Sequence, residues 1–115
     1  MEFASLPEFE RDLKKLQRKY RTLEEDLEIV KKVLSVQPKE QPPLSFRVSG
    51  YNDQTCLVKI KKVTCKALKG RGANSGIRII YEYREEENKI VFVEIYFKGE
   101  SELEDQERLR RYYGK

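Results

Sequence analysis

The sequence predicts an α+β fold: an N-terminal helical hairpin packed on a small twisted antiparallel β-sheet, closed by a short C-terminal helix. Three observations carry that expectation. Apolar residues recur at helical spacing near the start, a proline-rich stretch then breaks the pattern, and β-branched residues alternate with polar ones afterwards. At 115 residues the chain holds enough for one core and reads as a single domain.

The helices come first, over about residues 5–36. Ser5-Leu6-Pro7-Glu8 has the form of a capping box, with proline tolerated in the first turn. Phe9, Leu13, Leu16 and Tyr20 follow at helical spacing, with Arg11, Asp12, Lys14, Lys15 and Arg18 between them. A second start, Thr22-Leu23-Glu24-Glu25, comes almost at once, and its stripe is Leu23, Leu27, Val30 and Leu34, widened by Ile29 and Val33. Helices joined this tightly form a hairpin or a sharply bent pair. Pro38 stops the second one, and the segment about 37–55, with its "QPKEQPP", reads as an extended linker.

Strands fill about residues 56–98. In "CLVKIKKVTC" Val58 and Ile60 alternate with Lys59 and Lys61, and the parity slip at Val63 marks a bulge or a strand end near Lys62. "GIRIIYEYR" sets Ile77, Ile79, Tyr81 and Tyr83 against Arg78, Ile80, Glu82 and Arg84. Tyr81 and Tyr83 therefore read as core more than as stacking platforms for bases. "EEEN" is a short hairpin connection, and "KIVFVEIYF" is apolar on both parities, as a strand covered on two faces would be. A last helix runs from Ser101 as cap to about residue 113.

Composition narrows the chemistry. With no histidine and two cysteines that form no CxxC pair, a zinc site is not expected, and no cofactor motif is present. The opening "MEFASLPEF" lacks the basic and apolar regions of a signal peptide, and no apolar run reaches the length of a membrane span, so a reduced, cytoplasmic setting is expected. Net charge is only +4, so its distribution matters more than its sum. From Lys59 to Arg78 run Lys59, Lys61, Lys62, Lys66, Lys69, Arg71 and Arg78 with no acid among them. Lysines alternating along a strand are as readily its solvated face as a ligand surface. Lys69, Arg71 and Arg78 are more pointed, because Gly70, Gly72 and Gly76 surround them and glycine lets backbone approach a ligand. Converging cations of this kind suit a phosphate, arginine as a fork and lysine as a point charge.

The opening "FASLPEFERDLKKL", the pattern "LKGRGANSGIRIIYEY" and the strand "KIVFVEIYFKGE" together resemble the RelE/ParE superfamily of toxin–antitoxin toxins, on its RelE side. The resemblance implies a ribosome-dependent, metal-independent endoribonuclease that cleaves mRNA in the ribosomal A site and is neutralised by a cognate antitoxin. The family arginine of "G-x-R-[LV]-[IV]-Y" falls on Arg78, and its two basic residues are expected at Lys69 and Arg71. Lys98 and Gly99 occupy the place of the family's second arginine. For the assisting tyrosine, Tyr96, Tyr112 and Tyr113 are the candidates, Tyr96 first. The expected catalytic set is Lys69, Arg71, Arg78 and Tyr96, with Lys59, Lys61, Lys66 and Lys98 binding RNA. The alternative is a ParE-like gyrase inhibitor, or a member that binds without cleaving.

Overall fold

The computed structural model describes residues 1–68 and 70–114. In chain order the elements are β1 (Glu2–Ser5), α1 (Pro7–Gln17), α2 (Leu23–Val36), β2 (Ser45–Arg47), β3 (Cys56–Ile60), β4 (Ile77–Arg84), β5 (Lys89–Phe97) and α3 (Gln106–Tyr113). The class is α+β. The five strands form one sheet in the order β1-β5-β4-β3-β2.

Two expectations about the chain's start are corrected. The chain opens on a strand, not a helix, and β1 runs parallel to β5, so the sheet is mixed rather than antiparallel. Ser5 pairs with Phe92 at the end of β1, and the capping box does not form: Leu6 holds the N-cap position without a side-chain cap. The physical reason is that β5 has a free edge, and satisfying backbone groups along it outweighs a single cap. Four residues, "EFAS", are too few to show a period.

Two further corrections concern the connections. The expected linker contains β2, which pairs antiparallel with β3 from Ser45 opposite Ile60 to Arg47 opposite Val58. The C-terminal helix begins at Gln106, where the Asp105 carboxylate accepts the Arg108 N–H at 3.1 Å. Ser101 instead donates its hydroxyl to the Leu103 carbonyl.

One face of the sheet packs on α1 and α2. Phe9, Leu13 and Leu16 recur at helical spacing and are buried with Val58, Ile77, Ile79, Tyr81, Ile90, Phe92 and Ile95. Phe9 and Phe92 stack with centroids 5.2 Å apart. Tyr81 is core, as its parity implies, and donates its hydroxyl to the Pro38 carbonyl at 2.7 Å. Full burial of each such large side chain is worth about 1.5–3 kcal/mol. Ile29 and Val33 do not join this core; both stay exposed on α2.

The opposite face is divided. At one end α3 covers Leu57, Ile80 and Val93 with Leu109 and Tyr113. A bulge makes this possible. Ile80 faces Glu94 while Tyr81 faces Phe92, leaving Val93 as the extra residue on β5. Phe92 can then point to α1 while Val93 and Glu94 both serve the α3 side. That is why "KIVFVEIYF" is apolar on both parities. The parity slip expected near Lys62 is simply the end of β3 at Ile60. The other end of this face carries no helix.

Candidate functional site

The uncovered end is built from four strands. Arg78 on β4 lies directly opposite Tyr96 on β5. Lys59 on β3 lies opposite Ile80 on one side and Phe46 of β2 on the other. Strict alternation along β4 puts Arg78 on the side away from Ile77 and Ile79, so it escapes the core that its neighbours build. Its guanidinium donates to the Lys61 carbonyl at 3.2 Å, just past the end of β3, and makes no ion pair among the described residues. The Lys61 ammonium sits 4.9 Å from the Phe46 ring centroid.

Gly76 is what lets this corner close. Its φ of +87° favours glycine, and a Cβ there would meet the Phe97 ring at 2.9 Å. Its carbonyl accepts the Lys98 N–H at 2.8 Å, which joins the entry of β4 to the exit of β5 beside Arg78.

Tyr96 is buried, and its hydroxyl has no hydrogen-bond partner among the described residues. Burial raises the phenol's pKa, against the opposing pull of Lys59. Near neutral pH it is a hydroxyl, able to donate to an oxygen anion and unsuited to act as a base. Lys59 points the same way: its ammonium lies 5.9 Å from the Tyr96 ring centroid. It is also paired with Glu104 at 2.7 Å, with side chains only 16% and 13% exposed. Burial lowers the Lys59 pKa, but the Glu104 carboxylate and the Tyr96 hydroxyl together more than offset this and the net direction is up. Lys59 is therefore a fixed positive charge and not a proton acceptor.

The expected residues divide by position. Arg78, Tyr96, Lys59 and Lys61 share one end of one face, and Lys98 lies exposed one residue beyond β5 at the same end. Lys66 does not join them. Its N–H donates to the Asp26 carboxylate at 3.3 Å, Ala67 N–H donates to the Thr22 hydroxyl at 2.9 Å, and Lys66 lines an apolar groove beside α2 with Ile29 and Val33. This correction follows from the buried Asp26, which accepts both the Thr22 hydroxyl and the loop N–H and so ties the loop to the helix side. Arg71 is exposed in a turn whose backbone bonds run to Leu68 and Asn74, with no side-chain partner among the described residues. Lys69 lies outside the described residues. Tyr112 and Tyr113 belong to α3: Tyr112 donates to Glu8 and Tyr113 to Glu82.

Two members of the site were not legible beforehand. Phe46 sits in the segment read as linker, and Glu104 in a polar tail with no period to place it. The only available signal for Glu104 was its sign, one of several acids close after a cationic strand. Among the described residues no group of three metal-ligating side chains gathers, and no helix is long and apolar enough to cross a membrane. Chemically, Arg78 and Lys61, with Lys59 beside them held by Glu104, offer positive charge over a shallow face, which can bind a phosphate and stabilise added negative charge on it, while the Tyr96 hydroxyl lies buried beneath. The chain matches no family model, no curated protein and no solved structure.

Proposed function

We propose that the protein is a RelE-like toxin of a toxin–antitoxin system, an endoribonuclease that acts on mRNA held in the ribosome. The observation that carries the reading is the grouping of Arg78 with Lys59, Lys61 and Tyr96 on the uncovered end of the sheet. Strand scission by the 2′-hydroxyl builds charge on a pentavalent phosphorus. Arg78 holds two of its oxygens as a fork, and Lys59 and Lys61 make the potential around it more positive. Histidine, the usual proton carrier, is absent from the sequence. A host that aligns the 2′-oxygen in line with the leaving oxygen supplies the orientation, while solvent water takes the 2′-hydroxyl proton and returns one to the 5′-oxygen as its bond to phosphorus breaks and a 2′,3′-cyclic phosphate forms. Lys59 and Lys61 stand with Arg78 in this reading, because they flank it on its own face, and Lys69 and Arg71 keep the part the resemblance gives them. The cognate antitoxin shuts the site with an acidic segment laid over Arg78, so the complex weakens as salt rises.

The test is induction of the protein in cells, with growth and cleavage of ribosome-bound mRNA read together. Wild type arrests growth and cuts at the A site, whereas Arg78→Ala does neither while melting normally. An Arg78→Ala protein that folds and still cleaves would overturn the assignment. The carboxylate seated on Lys59 favours one second reading, a member of the same fold that binds without cleaving. Growth arrest with intact mRNA would select it, and inhibition of gyrase would make it ParE-like.

A further inference from the structure

Helix α1 carries a second cationic surface that the site above does not use. Arg11, Lys14 and Arg18 are three and four residues apart, the spacing that aligns side chains along one face of a helix, and Arg21 follows in the turn after it. All four are exposed, as is Lys15 beside them. None makes an ion pair among the described residues, although Glu8, Glu10 and Asp12 lie on the same helix. Glu8 and Asp12 are held by Arg111 and Arg108 of α3, which leaves Glu10, exposed one turn before Lys14, as the acid of α1 facing the stripe's start. Lys14, Gln17, Arg18 and Arg21 line a shallow open depression where the helix ends. Gln17 holds that end in shape: its amide donates to the Arg21 carbonyl and its oxygen accepts the Glu24 N–H at 2.9 Å.

Compensation of the helix dipole does not account for so many cations. That effect fades within the last turn, and Lys14 and Lys15 already supply it. The stripe begins a turn earlier at Arg11 and continues past the helix to Arg21. Nor does it suit a lipid surface, because the apolar residues of α1, Phe9, Leu13 and Leu16, are buried against the sheet and leave none to insert. At 1.5 Å per residue the stripe covers about 10 Å from Arg11 to Arg18, enough to meet several phosphates of a nucleic acid backbone. Its C-terminal end also stands near the Arg78 end of the sheet: the Tyr20 ring lies 5.4 Å from that of Phe97, which directly follows Tyr96.

We infer that the α1 stripe is a docking surface for the phosphate backbone of structured RNA. It is separate from the Arg78 site, and only the choice of RNA as the polyanion rests on the function proposed above. It positions the protein and reads no sequence.

The experiment measures affinity for a duplex RNA hairpin against rising KCl. The variant is Lys14→Ala/Arg18→Ala/Arg21→Ala, and a charge-matched control is Lys32→Ala/Lys39→Ala/Lys89→Ala. Each phosphate-contacting cation removed should flatten the log–log salt slope by about 1, so the stripe variant loses about 3 and binds at least about tenfold more weakly at low salt. The control should lose much less. Equal losses in both variants would assign the effect to net charge and overturn the proposal, as would an unchanged slope. Loss of binding to phosphatidylserine vesicles with RNA affinity intact would overturn it in favour of a membrane. Cleavage by wild type separates the two proposals: if wild type leaves ribosome-bound mRNA intact while the stripe variant shows the slope loss, the nuclease reading fails and the docking surface stands.

Discussion

The two ends of the α3 side of the sheet use the same strands and the same alternation, yet treat charge in opposite ways. At the covered end the buried charges are turned inward onto partners. Arg108 clasps Asp12 through two hydrogen bonds of 2.7 and 3.3 Å and donates to the Val93 carbonyl at 2.9 Å, the backbone group that the bulge releases from the β4 ladder. Glu94 accepts the Asp105 N–H at 2.9 Å, and Glu82 accepts the Tyr113 hydroxyl at 3.1 Å. At the uncovered end, among the described residues, Arg78 has a carbonyl, Lys61 an aromatic face, and Tyr96 a hydroxyl with nothing to donate to. Buried polar groups are normally satisfied; among the described residues the Tyr96 hydroxyl at this end and the Arg108 Nε at the other are not, so the ends differ in the exposed charge left free rather than in buried satisfaction.

The contrast makes a sharp pair of predictions, one arginine at each end. Arg78→Ala should cost about 10²–10³ in the rate of mRNA cleavage, the usual effect of deleting one electrostatic donor to a transition state, and leave the melting temperature within about 2–4 °C. Arg78→Lys should stay impaired, because a point charge cannot reproduce a fork. Arg108→Ala should do the reverse. It strands Asp12 and the Val93 carbonyl and should cost about 3 kcal/mol, the low end for breaking a buried pair because the Asp12 side chain is 22% exposed. Urea titration beside the cleavage assay reads both. Equal stability losses for the two would erase the distinction between the ends.

How much of this the sequence could show follows from which contacts are local. Helix α1 with Phe9, Leu13 and Leu16, and strand β4 with its alternating Ile77, Ile79 and Tyr81, were legible because each element carries its whole pattern within a few turns or residues. So was Arg78, whose parity sets it apart from that core. β1 was not legible, because a four-residue strand gains its stability from the β5 edge and not from its own sequence. The placement of Lys66 was not legible either, since it depends on Asp26 forty residues earlier. Without a tertiary contact, seven cations in a row look like one site. The fold sends Lys66 to the helix side and leaves Lys59 and Lys61 beside Arg78.

The covered end should also announce itself through pH. Burial pushes the Glu94 carboxyl up to about 7, against the lowering pull of the Asp105 N–H and of Arg108. A carboxyl raised on folding binds its proton more tightly in the native state. Its contribution is therefore greatest at acid pH and is lost as pH rises from the unfolded value near 4.5 towards 7. Glu94→Gln keeps an acceptor for Asp105 and removes the titration. Melting temperatures between pH 5 and 7.5 should fall for wild type relative to Glu94→Gln, by several degrees. Parallel profiles would mean that Arg108 holds Glu94 ionised throughout.

The smallest effect expected sits where the two ends meet. Glu104 comes from the segment that leads into α3, and among the described residues it is the one carboxylate paired with a cation of the uncovered end. Its oxygens stand where a phosphate oxygen would approach Lys59, so an RNA ligand must displace it or bind without that lysine. Displacement costs part of the pair, which is nearly buried but still reached by water, and a value of about 0.7 kcal/mol is in the range of such pairs. Glu104→Gln should then bind RNA about threefold more tightly, with a salt slope steeper by up to about 1 as Lys59 becomes free to contact phosphate. Cleavage at saturating ribosomes should change little, since the pair is already broken in the bound state. If Glu104→Gln instead weakens RNA binding, the carboxylate holds Lys59 in its working position, and the boundary between the two ends lies one residue further into the site.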